Sequence, residues 1–154
     1  MKIFYKTRAT AIGGRSGHTA LDDGSLALDL TAPNSGKPGA NPEQLFAMGY
    51  AACFDSALHH VAQVRKLALS GSKTSAEVGI GQLPDGGFKL DIDIHVKLSG
   101  LDEATARDLV EATATVGRAH APPLIVSTWP ETTRSTRSAE AAMRWLSQPR
   151  RSAK

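Results

Sequence analysis

Lys2 to Ala11 alternates, with Ile3, Tyr5, Thr7 and Ala9 set against Lys2, Phe4, Lys6 and Arg8, a period of two that predicts a half-buried strand. "GGRSG" follows as a turn. "SLALDL", Ser25 to Leu30, puts Leu26, Leu28 and Leu30 on one face as a further strand, and "TAPNSGKPGA" is turn chemistry throughout. The period then changes. Asn41 is a good N-cap, Pro42 suits the first helical position, and Gln44 sits where a capping box needs it, so a helix is predicted from Pro42 to about Leu69. Its apolar positions Leu45, Phe46, Met48, Ala52, Cys53, Ala57, Val61, Val64 and Leu67 spread around much of the circumference, which predicts burial on several sides. Gly49, Ala51 and Ala52 leave room for a second backbone, the pattern of a helix at a dimer core.

"TSAEVGIGQL" and "FKLDIDIHVKLS" alternate again and are joined by "PDGG", whose glycines supply the positive φ that a tight hairpin needs. Leu90, Ile92, Ile94, Val96 and Leu98 share the inward face of the second run. "LDEATARDLVEATATV" reads as an amphipathic helix with Leu101, Leu109, Val110 and Val116 inward. Beyond Val116 the periodicity fails: one short apolar run, Pro123 to Val126, interrupts Pro, Ser and Thr, "AEAAMRWL" predicts a short last helix and "SQPRRSAK" a disordered end. Strands, a long helix, a hairpin and a second helix make the class α+β.

At 154 residues, 41% of them hydrophobic and 21% charged, the chain is sized for one core and a tail. The net charge of +3 belongs to that tail, where Arg118 to Lys154 holds seven Lys or Arg against Glu131 and Glu140. The basic footprint is short and irregular and reads as a solvated end, with no nucleic acid as partner. No stretch has the apolar length of a bilayer span and the N-terminus lacks a secretory apolar run, so no membrane association and a cytoplasmic location are the expectations.

There is one cysteine, Cys53, in the middle of the long helix. By position alone it is a packed thiol, since buried free cysteines behave as small hydrophobes and reactivity requires a cationic neighbour that local sequence does not offer. His59 and His60 project about 100° apart on a helix and do not chelate one metal, and no dinucleotide or phosphate-loop fingerprint is present, so neither metal nor cofactor is expected.

"NPEQLFAMGYAACFDSALHHVA", Asn41 to Ala62, resembles the signature helix of the organic hydroperoxide resistance proteins, a branch of the OsmC-like superfamily. "GGRSGH", "DDGSLALDLTAP" and "DIDIHVKLSGLDEATARDLVEAT" stand where that family has matching elements, and the resemblance runs from Lys2 to Val116. It implies an OsmC-like domain over residues 1–117, with antiparallel sheets wrapped around long central helices in an intertwined homodimer. Residues 118–154 are then a divergent basic segment, expected to be partly disordered. It also implies a cysteine-based peroxidase that reduces organic hydroperoxides to alcohols through a sulfenic acid on Cys53, in defence against oxidative stress. Arg15 and Glu43 match the family's charged frame, and a guanidinium suits a thiolate because it stays protonated and donates charge-assisted hydrogen bonds. Leu45, Phe46, Met48 and Phe54 are the expected apolar substrate contacts, rewarding burial of a hydrocarbon tail.

Two features strain this expectation. Glu43 and Cys53 are ten residues apart, about 15 Å along one unbroken helix. Either the helix breaks, with Gly49 the natural place, or Glu43 acts through a long Arg15 bridge, or a partner chain contributes. Secondly, the family's resolving cysteine, in a "CPYS.ATRGNI" segment, has no counterpart: Gly117 stands at that position, and the closing strand is expected to be lost with the motif. Cys53 then depends on an external thiol or dithiol reductant, or stalls after one turnover, or the chain is a catalytically impaired ligand-binding or redox-sensing relative.

Overall fold

The computed structural model describes residues 2–116 and the strand at 124–128. The "AEAAMRWL" helix and the "SQPRRSAK" end lie outside the described residues. Two compact units divide the chain, Met1–Phe46 and Ala47–Lys154.

The first unit is an antiparallel meander of β1 (Ala9–Ile12), β2 (His18–Leu21) and β3 (Ala27–Asp29), in the order β1-β2-β3. A 3-10 turn, Gly14–Ser16, joins β1 to β2. It is built by glycine: Gly13 has φ 80°, and a methyl on Gly17 would meet the Ile12 carbonyl oxygen at 1.8 Å. The alternation from Lys2 overstates the first strand, which begins only at Ala9; Ile3, Phe4 and Tyr5 are 65, 87 and 79% exposed. Alternation fixes which way side chains point once a strand has a neighbour, and β2 is only four residues long, pairing Ala9 through Ile12 and no further. β2 itself, His18–Leu21, carries no apolar alternation of its own and makes "SLALDL" the third strand and not the second. The predicted strand at Ser25 to Leu30 narrows to β3, with Leu26 exposed and Leu30 buried.

The second unit carries most of α1 (Pro42–Val64), then β4 (Gly71–Gln82), β5 (Phe88–Ser99), α2 (Glu103–Val116) and β6 (Leu124–Thr128). β4 and β5 pair antiparallel over their full length, Gly71↔Ser99 to Gln82↔Phe88, about the predicted turn, in which Gly86 has φ 85°. β6 pairs parallel to β5, Ile94↔Leu124 to Leu98↔Thr128, so a strand from the divergent segment lies on this edge of the sheet. The short apolar run noted beyond Val116 supplies this strand, and it falls after α2, whose length gives the crossover a parallel neighbour requires.

The core of this unit is Phe54, Leu58, Val61 and Ala62 from α1, Ile94, Val96 and Leu98 from β5, and Ala106, Leu109 and Val110 from α2. Each large side chain here contributes about 1.5–3 kcal/mol by leaving water. Positions 54, 58, 61 and 62 form one helical face, the share of the expected burial on several sides that a single chain supplies. Phe46, Met48 and Val64 are 41, 70 and 67% exposed, because one chain supplies only one surface for α1 to pack on. α1 also ends earlier than Leu69. Lys66 takes φ 55°, its N–H bonds the Gln63 carbonyl, and the Leu67 N–H bonds the Ala62 carbonyl, closing a Schellman motif without glycine. Leu67 then turns back onto the core.

Candidate active site

The start of α1 is fixed by a reciprocal capping box. The Gln44 N–H donates to Asn41 Oδ1 at 2.8 Å, and the Asn41 N–H donates to Gln44 Oε1 at 2.9 Å. That box orients the first turn, in which Glu43 is 8% exposed. A carboxylate buried to this degree needs a partner, and Arg15 supplies it from the 3-10 turn: Nη1 donates to Oε2 at 2.9 Å and Nη2 donates to Oε1, a two-pronged ion pair. The Arg15 side chain stays 43% exposed. The hydrogen bonds from Arg15 hold the Glu43 carboxyl below the usual carboxylate range, and those to Glu43 raise the guanidinium further. The frame is thus charged at neutral pH, with a cation whose remaining surface is open to an anion.

Cys53 is exposed on α1. The helix runs without interruption through Gly49, which removes the broken-helix alternative for Glu43 and Cys53. One turn before Cys53 is Tyr50, a neighbour that the pattern of apolar residues had hidden. Burial, with the nearby Cys53 charge adding to it, pushes the Tyr50 hydroxyl up to about 12, so it keeps its proton at neutral pH. The spacing i, i+3 was the available signal.

Of the four expected apolar contacts, Phe54 is part of the core, Leu45 is half-buried, and Phe46 and Met48 lie on the exposed side of the helix. Two residues past Cys53, Asp55 accepts hydrogen bonds from the Ser72 and Thr74 hydroxyls of β4 at 2.9 and 2.8 Å, and His59 Nε2 lies 2.8 Å from Ser72 Oγ. A polar aspartate inside an otherwise apolar helix stretch was the sign of this cluster.

A thiol on a helix and an arginine held by a buried glutamate are the two components of the frame read from the sequence. Residues 34–117 match the protein family described as OsmC-like protein. The organic hydroperoxide resistance protein OhrB of Bacillus subtilis is 43% identical over 112 residues, which span 70% of this chain and 82% of that protein. The chain belongs to the organic hydroperoxide resistance branch of the OsmC-like family. The solved structure of an organic hydroperoxide resistance protein OsmC from Legionella pneumophila superposes with a TM-score of 0.72 at 41% identity, covering 82% of this chain and 97% of that one. That from Elizabethkingia anophelis, with crystallant-derived thiocyanate bound, gives a TM-score of 0.75 at 38% identity over 83 and 99% of the two chains. Cys53 is the single cysteine of this chain.

Proposed function

We propose that this protein is a cysteine-based peroxidase that reduces organic hydroperoxides and is recycled by a thiol or dithiol from outside the chain. The observation that carries the reading is the buried Glu43 holding the Arg15 guanidinium two-pronged at the head of the helix that bears an exposed thiol, in a chain 43% identical to a protein named for organic hydroperoxide resistance.

The Cys53 thiolate, paired with the Arg15 guanidinium, attacks one oxygen of the peroxide. The S–O bond forms as the O–O bond breaks, the departing alkoxide takes a proton and leaves as the alcohol, and sulfur is oxidised by two electrons to the sulfenic acid. One external thiol then displaces water from the sulfenic acid to give a mixed disulfide. A second thiol, from another molecule or from the same dithiol, releases the Cys53 thiolate and carries off the disulfide. Arg15 relinquishes the neutral sulfur and stays with Glu43, the switch that a carboxylate partner allows.

The site belongs to a homodimer in which the exposed side of α1, with Phe46, Met48 and Val64, is covered by a second copy. Phe46 and Met48, with half-buried Leu45 beside them in the first turns of the helix, favour alkyl hydroperoxides over hydrogen peroxide because an apolar lining rewards a hydrocarbon tail, whereas Phe54 is taken up by the core. Reducing surroundings such as the cytoplasm suit a mechanism that consumes external thiols. Among the described residues no helix is long and apolar enough to cross a membrane.

The absence of a second cysteine favours one other reading, a ligand-binding or redox-sensing relative that no longer turns over. Consumption of an alkyl hydroperoxide with a panel of monothiol and dithiol reductants decides between them. Sustained turnover that vanishes in Cys53→Ser supports the peroxidase, and saturable binding of an apolar ligand without consumption supports the binding protein.

A further inference from the structure

α1 is held to the rest of its unit in two different ways. Phe54, Leu58, Val61 and Ala62 give apolar contact, which is strong but has no preferred direction and tolerates small rotations of the helix about its axis. Asp55 adds directed bonds. Its Oδ1 accepts from Ser72 Oγ at 2.9 Å and from Thr74 Oγ1 at 2.8 Å, two residues that share the inward face of β4. One turn further on, His59 Nε2 reaches Ser72 Oγ at 2.8 Å and lies 3.7 Å from Asp55 Oδ2. The next half-buried positions of β4, Ala76 and Val78, are apolar, and Ala76 packs on the core, so on this face of the strand the half-buried polar side chains are the two opposite Asp55.

Proton bookkeeping excludes nucleophilic chemistry for the cluster. With the Ser72 hydroxyl donating its single proton to Asp55, its oxygen is left to face His59 as an acceptor, a contact that fits the tautomer with the proton on Nε2. A serine activated by histidine needs the opposite polarity. Nor is the cluster an economical source of stability, because aspartate is a poor helix-interior residue and apolar partners of the same size fill such a gap as well. What directed bonds provide and apolar contact does not is a fixed rotation and axial register.

Two residues before Asp55, on the same rigid helix, is Cys53. A rotation of about 20° moves an atom at the side-chain radius of a helix by about 2 Å. Displacement on that scale at a reacting atom costs about a hundredfold in rate. We propose that Asp55 is a positioning residue for Cys53: through Ser72 and Thr74 it sets the angle at which α1 presents the thiol. This rests on Cys53 being the reacting group.

The test compares Asp55→Ala with Asp55→Asn in the full-length chain. The amide loses the charge but keeps an oxygen that accepts from both hydroxyls. Two readouts are taken below the unfolding transition: kcat/KM for an alkyl hydroperoxide with excess thiol, and the rate of Cys53 alkylation by iodoacetamide. Asp55→Ala is expected to lower kcat/KM by about tenfold or more, through kcat, and to change the alkylation rate, whereas Asp55→Asn stays within about twofold of the parent. The paired change Ser72→Ala with Thr74→Val removes the same bonds from the strand side and reproduces Asp55→Ala, which keeps the test decisive if the alanine variant does not fold. Parental values for both readouts in these variants overturn the proposal. So does an Asp55→Asn loss equal to that of alanine, which would assign the effect to charge. If Cys53→Ser retains turnover, the peroxidase reading fails by itself, and the alkylation rates alone decide the positioning role: a change on Asp55→Ala supports it and no change overturns it.

Discussion

Glu43 is the residue whose chemistry is most tightly specified by its surroundings. Arg15 lowers its carboxyl below the ordinary value in the folded chain, so folding is favoured by the ionised form. For a carboxylate shifted in this direction the contribution is complete above the unfolded pKa and disappears as pH falls through the folded one. The urea midpoint of the parent should therefore exceed that of Glu43→Gln most clearly above about pH 5, with the gap closing in more acidic solution. A gap that persists unchanged into acid would assign the loss to packing rather than charge. Gly17→Ala probes the other half of the frame. Its methyl would stand 1.8 Å from the Ile12 carbonyl oxygen, so the turn carrying Arg15 must shift, and peroxide consumption is expected to fall along with it. Retained turnover in that variant would mean that Arg15 does not need its present seat.

At the scale of elements, α1 is both the best-specified and the most misleading part of the sequence. Its start was legible because Asn41, Pro42 and Gln44 each have one physical role at a helix N-terminus, and the capping box forms as those residues dictate. Asn41→Ala should lower the unfolding free energy by about 1 kcal/mol in urea titrations. Its end was not legible, because the residue that takes the left-handed conformation is Lys66, and only glycine or asparagine advertises that role in advance. The hairpin was readable from "PDGG" and from the alternation of Leu90 to Leu98, of which Ile94, Val96 and Leu98 are buried. β6 was not, since a five-residue strand with a parallel neighbour leaves no alternation long enough to distinguish it from a loop. Leu58, fully buried, should cost about 2–5 kcal/mol on truncation to alanine.

For the whole molecule, the apolar positions spread around α1 carry information about assembly. A helix apolar on more sides than one chain covers needs a second surface, and Phe46, Met48 and Val64 identify the uncovered side. Light scattering with size exclusion should give a dimer for the parent chain, and Met48→Asp should shift it toward monomer; a monomeric parent would remove the second chain from the site. Cys53 and Glu43 were named by one signature string and Arg15 by the separate "GGRSGH" turn, and of these the structure joins Arg15 to Glu43. Tyr50 and Asp55 were not legible, because single residues one turn away announce themselves only when the helix is folded. The central claim is that Cys53 accepts an oxygen atom from an organic hydroperoxide, and the mass of the intact chain after one equivalent of an alkyl hydroperoxide tests it most directly. The account predicts a gain of one oxygen, confined to Cys53, absent in Cys53→Ser and reversed by added thiol; an unchanged mass with the peroxide left intact would contradict it.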